Sequence, residues 1–391
     1  MHLAPTEPQL RLRAELRAYF AALMPDGPPD PRDPGAPAAQ RRLLRRIGAD
    51  GLLGLGWPEE YGGRGRGPDE QFVFFDEAHR AGAPVSMVTL NTVGPTLMKY
   101  GSDEQKAYFL PRILRGELVF AIGYSEPEAG TDLASLRTKA VRHGDHWVID
   151  GQKIFTSNAQ NADWIWLACR TDPDAAPHRG ISLLLVPTDS PGFSWTPIET
   201  VGGQITTATY YDSVRVPAGN LVGPEHGGWT LITDQLNHER VALAALGMQA
   251  EDHYAAALAA ARTPDPVTGR RRIDQPWARA RAAEAYARLA ATRLLNWRLV
   301  GEVGAGRLLP GDASGVKFAG TESAVEVYRI CQELAGDAGL VRGGSPGVFG
   351  DGGLERMNRA AQINTFGGGV SEVQRELVAT MRLGLRTRGR R

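Results

Sequence analysis

The chain has 391 residues, enough for two or three domains, with 42% hydrophobic and 23% charged residues, as in an ordinary soluble globular protein. Acidic and basic residues balance at 44 each, so no global field recruits nucleic acid or an anionic membrane surface. The two cysteines, Cys169 and Cys331, are too few for a disulfide framework and wrongly spaced for a metal site, which points to the cytoplasm.

The stretch "MHLAPTEPQLRLRAELRAYF" has no long apolar core, alternates charges on a helical pattern and reads as neither a signal peptide nor a membrane span, with a helix expected over residues 9 to 24. The proline-rich "PDGPPDPRDPGAP" that follows cannot be helical and reads as an exposed connector. Helical patterns then run from Gln40 to Gly116, broken by "WPEEYGGRGRGPDE". From about 120 to 220 the period changes to that of strands. "HWVIDGQKIFTS" reads as two strands around an Asp150-Gly151 hairpin turn, followed by "WIWLACRT", "ISLLLVPT" and "ATYYDSVRVP". Helical periodicity returns from Gly228 in alanine-rich segments such as "WARARAAEAYARLAATRLLNW". The expected class is α+β in three domains: helical over 1–120, β over 121–225 and helical over 226–391.

In "LITDQLNHERVALAALGMQA" the residues Ile232, Leu236, Leu243, Leu246 and Ala250 recur near the helical period, and Glu239 falls on the same stripe. A carboxylate there must be paired, reach the edge of the packed face, or line a pocket. Arg240 points about a quarter-turn away and is no automatic partner. His238 and Glu239 lack a second histidine at metal-binding spacing. Nowhere does a strand lead through G-x-G-x-x-G into a helix, and there is no P-loop or H-E-x-x-H.

Four segments in order, "WPEEYGG", "GYSEPEAGTDLASLRT", "GQKIFTSNAQNADW" with "VRVPAGNLVG", and "EVQRELVATMRLGL", resemble the acyl-CoA dehydrogenases over nearly the whole chain. The resemblance implies an N-terminal helical domain, a central β-barrel domain and a C-terminal four-helix bundle, with FAD as cofactor. It implies that Tyr124 and Ser125 stand at the flavin ring and that Gly130 and Thr131 allow close backbone approach. Phe155 matches the aromatic that covers the ring, with Thr156 and Ser157 near its N5 edge. Flavin needs such hydrogen-bonding partners for its ring edge and small residues near its pyrophosphate.

The family's reaction removes an α-proton of an acyl thioester by a carboxylate while a hydride leaves the β-carbon for the flavin. Such a base works in an apolar site where desolvation raises its affinity for a proton. Many members carry it in a C-terminal Y-E-G-T segment. This chain departs from that: "TFGGGVSEVQR" places Gly368 at the glutamate position, among the residues that face the cofactor. In a subset resembling the isovaleryl and long-chain enzymes the base lies on the first long helix of the C-terminal domain. "NHERVALAALG" is similar to that segment, which implies Glu239 as base and Arg240 as the neighbouring arginine.

A second departure lies in "TPDPVTGRRRIDQPWARARAA", where the phenylalanine-glycine pair that meets a neighbouring subunit's FAD is absent. "CQELAGDAG" still resembles the segment that meets a neighbour's adenine side, through Gln332 and Gly336. A chain of this kind suits an α2β2 assembly with a second dehydrogenase-like subunit, a homotetramer being the other possibility. The expected substrate is a bulky acyl-CoA of the steroid side-chain kind, against branched or medium-chain acyl-CoA or a carrier-protein thioester, with an electron-transfer flavoprotein as onward partner. A non-catalytic subunit completing another chain's flavin site is the rival of a different class.

Overall fold

The computed structural model describes residues 4–30, 33–235 and 247–385, so Glu239 and Arg240 lie outside the described residues. Helix α1 (Glu7–Leu23) buries Leu12, Leu16 and Phe20, a stripe at four-residue spacing, and Phe20 packs its ring 6.1 Å from that of Phe74. Helix α2 (Ala36–Ala49) buries Leu44 and Ile47. Helix α3 (Pro68–Arg80) starts on proline, whose missing N–H costs nothing in a first turn, and is buried on all sides from Gln71 to Ala78. That burial includes Asp76 and Glu77, both held at 2.5 Å by Arg13. A π-helical turn (Val88–Val93) leads into α4 (Gly94–Tyr100), and α5 (Asp103–Leu114) opens on a capping box between Ser102 and Gln105.

The middle of the chain forms one eight-stranded sheet. Its strands are β1 (Phe120–Gly123), β2 (Lys139–His143), β3 (His146–Lys153), β4 (Trp164–Arg170), β5 (Ile181–Pro187), β6 (Phe193–Glu199), β7 (Ile205–Pro217) and β8 (Leu221–Val222). They lie in the order β6-β7-β3-β2-β4-β5-β8, with β1 parallel to β4. Strands β4 and β5 are buried along their middles, as continuous apolar runs require.

The expected hairpin turn at Asp150-Gly151 is not there. Strand β3 runs straight through both residues, and the turn of the β2–β3 hairpin falls at Gly144-Asp145. Opposite Asp150-Gly151, strand β7 carries a β-bulge, because Ile149 pairs with Val214 while Gly151 pairs with Tyr211. Ser213 adopts φ 51° there, and the Asp150 carboxylate accepts its backbone N–H at 2.8 Å. The bulge shifts the alternation by one residue and keeps the same face buried: Thr207, Thr209 and Tyr211 point inward before it, Val214 and Val216 after it.

The described chain forms two compact units. One holds 11–200 and 205–235, including the sheet and the short helix α6 over 228–235. The other holds 4–10, 201–204 and 247–385, with α7 (Ala250–Arg262), α8 (Pro276–Gly304), α9 (Pro310–Ala335), α10 (Gly353–Ala360) and α11 (Ser371–Leu377). In that unit Ala250, Ala257, Ala285, Leu289, Val327 and Leu334 share one core, the small alanines letting the helices approach closely. Among the described residues no helix is long and apolar enough to cross a membrane.

Candidate active site

The segments that carry the expected flavin residues lie side by side in the sheet-containing unit. The Ile154 N–H donates to the Ser125 carbonyl at 2.8 Å, and the Lys153 ammonium donates to the Tyr124 carbonyl at 3.0 Å. Lys153 also meets the Glu126 carboxylate at 2.8 Å, with the lysine side chain fully buried. Glu126 further accepts the backbone N–H groups of Arg137 and Thr138 at 2.7 and 2.8 Å. Burial pushes the Glu126 carboxyl up, but the Lys153 charge and these donors together hold it below the usual range. Burial lowers Lys153 below the ordinary lysine value, against the opposing pull of Glu126. One ion pair therefore fixes the backbone at Tyr124-Ser125 and at Lys153-Ile154 together.

From this clamp the chain turns out to Phe155, whose backbone is left-handed at φ 60° and whose ring is 61% exposed. A left-handed aromatic displayed to the outside is unfavourable in itself. Thr156 is turned inward: its N–H donates to the Thr207 carbonyl at 2.9 Å, and its hydroxyl faces that of Thr209 at 3.3 Å. The Ser157 hydroxyl lies 3.0 Å from that of Thr206. Gly130 and Thr131 are exposed on the turn after Glu126, and no described atom lies within 4 Å of a Cβ built on Gly130. A flat cofactor ring fits this arrangement: an outward aromatic face, hydroxyls beside it and an open glycine backbone. Thr156 is engaged inside the sheet by its hydroxyl and its backbone alike, its carbonyl accepting the Thr207 hydroxyl at 2.6 Å.

Three expected residues lie in the helical unit. The Gln332 amide donates to the Gly339 carbonyl at 3.0 Å. Gly336 has φ 75°, and a Cβ there would stand 2.0 Å from the Arg272 guanidinium, which covers it. Gly368 and Gly369 have φ 66° and 99°, a turn suited to glycine. The buried Lys317 ammonium donates to the Gly369 carbonyl at 2.6 Å and holds that turn.

Sequence reasoning missed Lys153, Trp166 and Gln235. The Trp166 indole N–H donates to the Tyr124 hydroxyl at 3.0 Å, and that hydroxyl lies 2.8 Å from Gln235 Oε1. Gln235 sits at the end of the described part of α6, 1% exposed. The available signal was a glutamine on a stripe of apolar residues, one position before Leu236.

Acyl-CoA dehydrogenase FadE26 of Mycobacterium tuberculosis is 48% identical over 404 aligned residues, covering 98% of this chain and 99% of the relative. The chain belongs to the acyl-CoA dehydrogenase family. Family models for the N-terminal, middle and C-terminal domains of acyl-CoA dehydrogenase match residues 6–117, 121–214 and 226–382. Two solved structures share the fold and much of the sequence. The Tcur3481-Tcur3483 steroid ACAD is 52% identical with TM-score 0.92, covering 99% of this chain and 100% of that one. The ChsE4-ChsE5 complex from Mycobacterium tuberculosis is 48% identical with TM-score 0.90, again covering 99% and 100%. As an acyl-CoA dehydrogenase the chain is an oxidoreductase acting on the CH–CH group of an acyl-CoA.

Proposed function

We propose that this acyl-CoA dehydrogenase is the flavin-holding, base-bearing chain of a heteromeric enzyme that introduces an α,β double bond into a bulky acyl-CoA of the steroid side-chain kind. The observation that carries the reading is the turn at Gly368 and Gly369, whose φ values of 66° and 99° suit glycine and offer no carboxylate. The α-proton must then go to another base, and Glu239 is the carboxylate the sequence supplies for it, with Arg240 beside it. Tyr124, Ser125, Gly130, Thr131, Phe155, Thr156 and Ser157 would hold FAD, which when bound supplies the hydride acceptor. The Glu126–Lys153 pair keeps the two flavin segments in register.

Several features support a second subunit. Of the two similar solved structures, one is the ChsE4-ChsE5 complex and the other the Tcur3481-Tcur3483 steroid ACAD, each named for two proteins. The Arg272 guanidinium covers Gly336 and the Gln332 amide is spent on the Gly339 carbonyl, so the pair offers a poor seat for a neighbour's adenine side. The reading keeps the division into 1–120, 121–225 and 226–391, an electron-transfer flavoprotein as onward acceptor and the cytoplasm as compartment.

The test has two parts. The chain purified alone is expected to hold little FAD and to regain it with a second dehydrogenase-like subunit; one FAD per chain in a homotetramer would overturn the heteromeric reading. In the active assembly Glu239→Gln is expected to lower turnover by about 100-fold or more with flavin retained. Surviving turnover would show that another group takes the proton.

A further inference from the structure

The Tyr124 hydroxyl has one proton to give. It lies within hydrogen-bond distance of the Trp166 indole, which can only donate, and of Gln235 Oε1, which can only accept. The hydroxyl therefore receives from Trp166 and donates to Gln235. With Oε1 facing Tyr124, Nε2 points away from it. Gln235 is 1% exposed, and Nε2 is buried with no hydrogen-bond partner among the described residues. A buried amide that keeps its N–H groups unmatched is costly in a folded protein unless something outside the chain matches them.

Resting on the acyl-CoA dehydrogenase function proposed above, we infer that Gln235 is a specificity residue whose Nε2 donates to a neutral oxygen of the substrate's acyl group, a ketone or a hydroxyl. Two placements support it. Gln235 is hydrogen-bonded to the residue immediately before Ser125, at the expected flavin ring, and it precedes Glu239 by four residues in the sequence. A buried donor held in place discriminates more sharply than a hydrophobic wall, because a substrate lacking the acceptor leaves it unmatched. The acyl group selected is thus an oxygenated one, and a plain hydrocarbon skeleton of the same shape is disfavoured.

The experiment compares kcat/KM for pairs of polycyclic acyl-CoA thioesters that differ by one ketone or hydroxyl oxygen, in the assembled enzyme. The wild type is expected to favour one oxygenated member by about tenfold or more. Gln235→Leu is expected to bring that ratio close to one. Gln235→Glu keeps an acceptor for Tyr124 and loses the amide donor, so it too is expected to lose the preference. A ratio unchanged in both variants, or no preference in the wild type for any pair, overturns the inference while leaving the dehydrogenase reading intact. Failure of every thioester to turn over would instead sink that reading, and this inference with it.

Discussion

Lys153 Nζ lies 2.8 Å from Glu126 Oε1, and its side chain has no exposure to solvent. Two charges so deeply placed are tolerated because each has further partners: the Tyr124 carbonyl for the lysine, and two backbone N–H groups for the glutamate. Removing one charge strands the other. Lys153→Met is expected to destabilise the fold by about 3–5 kcal/mol, with loss of flavin as the first sign; an unchanged melting temperature and full flavin content would show the pair to be dispensable.

The same pair sets an acid limit. The folded Glu126 carboxyl lies below its ordinary value of 4.5, so its stabilisation is complete above about pH 4.5 and is lost as pH falls through the lower folded value. Flavin retention followed by absorbance during acid titration should fall in that range. Glu126→Gln, which cannot titrate, should start weaker and lose this pH-dependent step.

Reinstalling a carboxylate at the vacant C-terminal position is not expected to restore a base there. Gly368→Glu places a side chain at φ 66°, which costs about 1–2 kcal/mol in the left-handed region. Activity of Glu239→Gln should therefore not be recovered by adding Gly368→Glu, and steady-state turnover of the double variant measures this directly.

Arg13 joins two carboxylates whose side chains are 0% and 1% exposed, those of Asp76 and Glu77. Arg80 and Arg17 give each carboxylate one more partner, at 2.9 and 3.0 Å. Arg13→Ala is expected to cost about 3 kcal/mol, and Arg13→Lys to recover only part, because both carboxylates meet one nitrogen at the far end of the guanidinium, Nη1, which the shorter lysine side chain does not match. Chemical denaturation of the three proteins would rank them.

Both cysteine thiols are buried, and burial pushes Cys169 and Cys331 each up to about 12. Alkylation at neutral pH is expected to label neither in the native protein and both after unfolding, as counted by mass spectrometry.

The helices were legible because their apolar spacing is local: Leu12, Leu16 and Phe20 announce the buried face of α1 without reference to anything else. The bulge was not. Asp150-Gly151 carries the local chemistry of a turn, but the residue that departs from the ladder is Ser213, some sixty positions away, and only strand pairing brings the two together. Glu126 was visible inside a familiar motif, yet its partner Lys153 read as a polar residue in an alternating strand. The link from Tyr124 to Trp166 and Gln235 spans 42 and 111 positions, and no periodicity records such a contact.

The bulge at Ser213 works as a change of phase. Ahead of it β7 turns threonine hydroxyls toward Thr156 and the segment that displays Phe155; beyond it the same strand turns valines into the sheet's core. One ribbon thus has two wirings, spliced at a single residue. Deleting that residue would restore a continuous ladder in which Asp212 alone separates Tyr211 from Val214, so Val214 and Val216 would stay inward while the left-handed turn held by the Asp150 carboxylate would be lost.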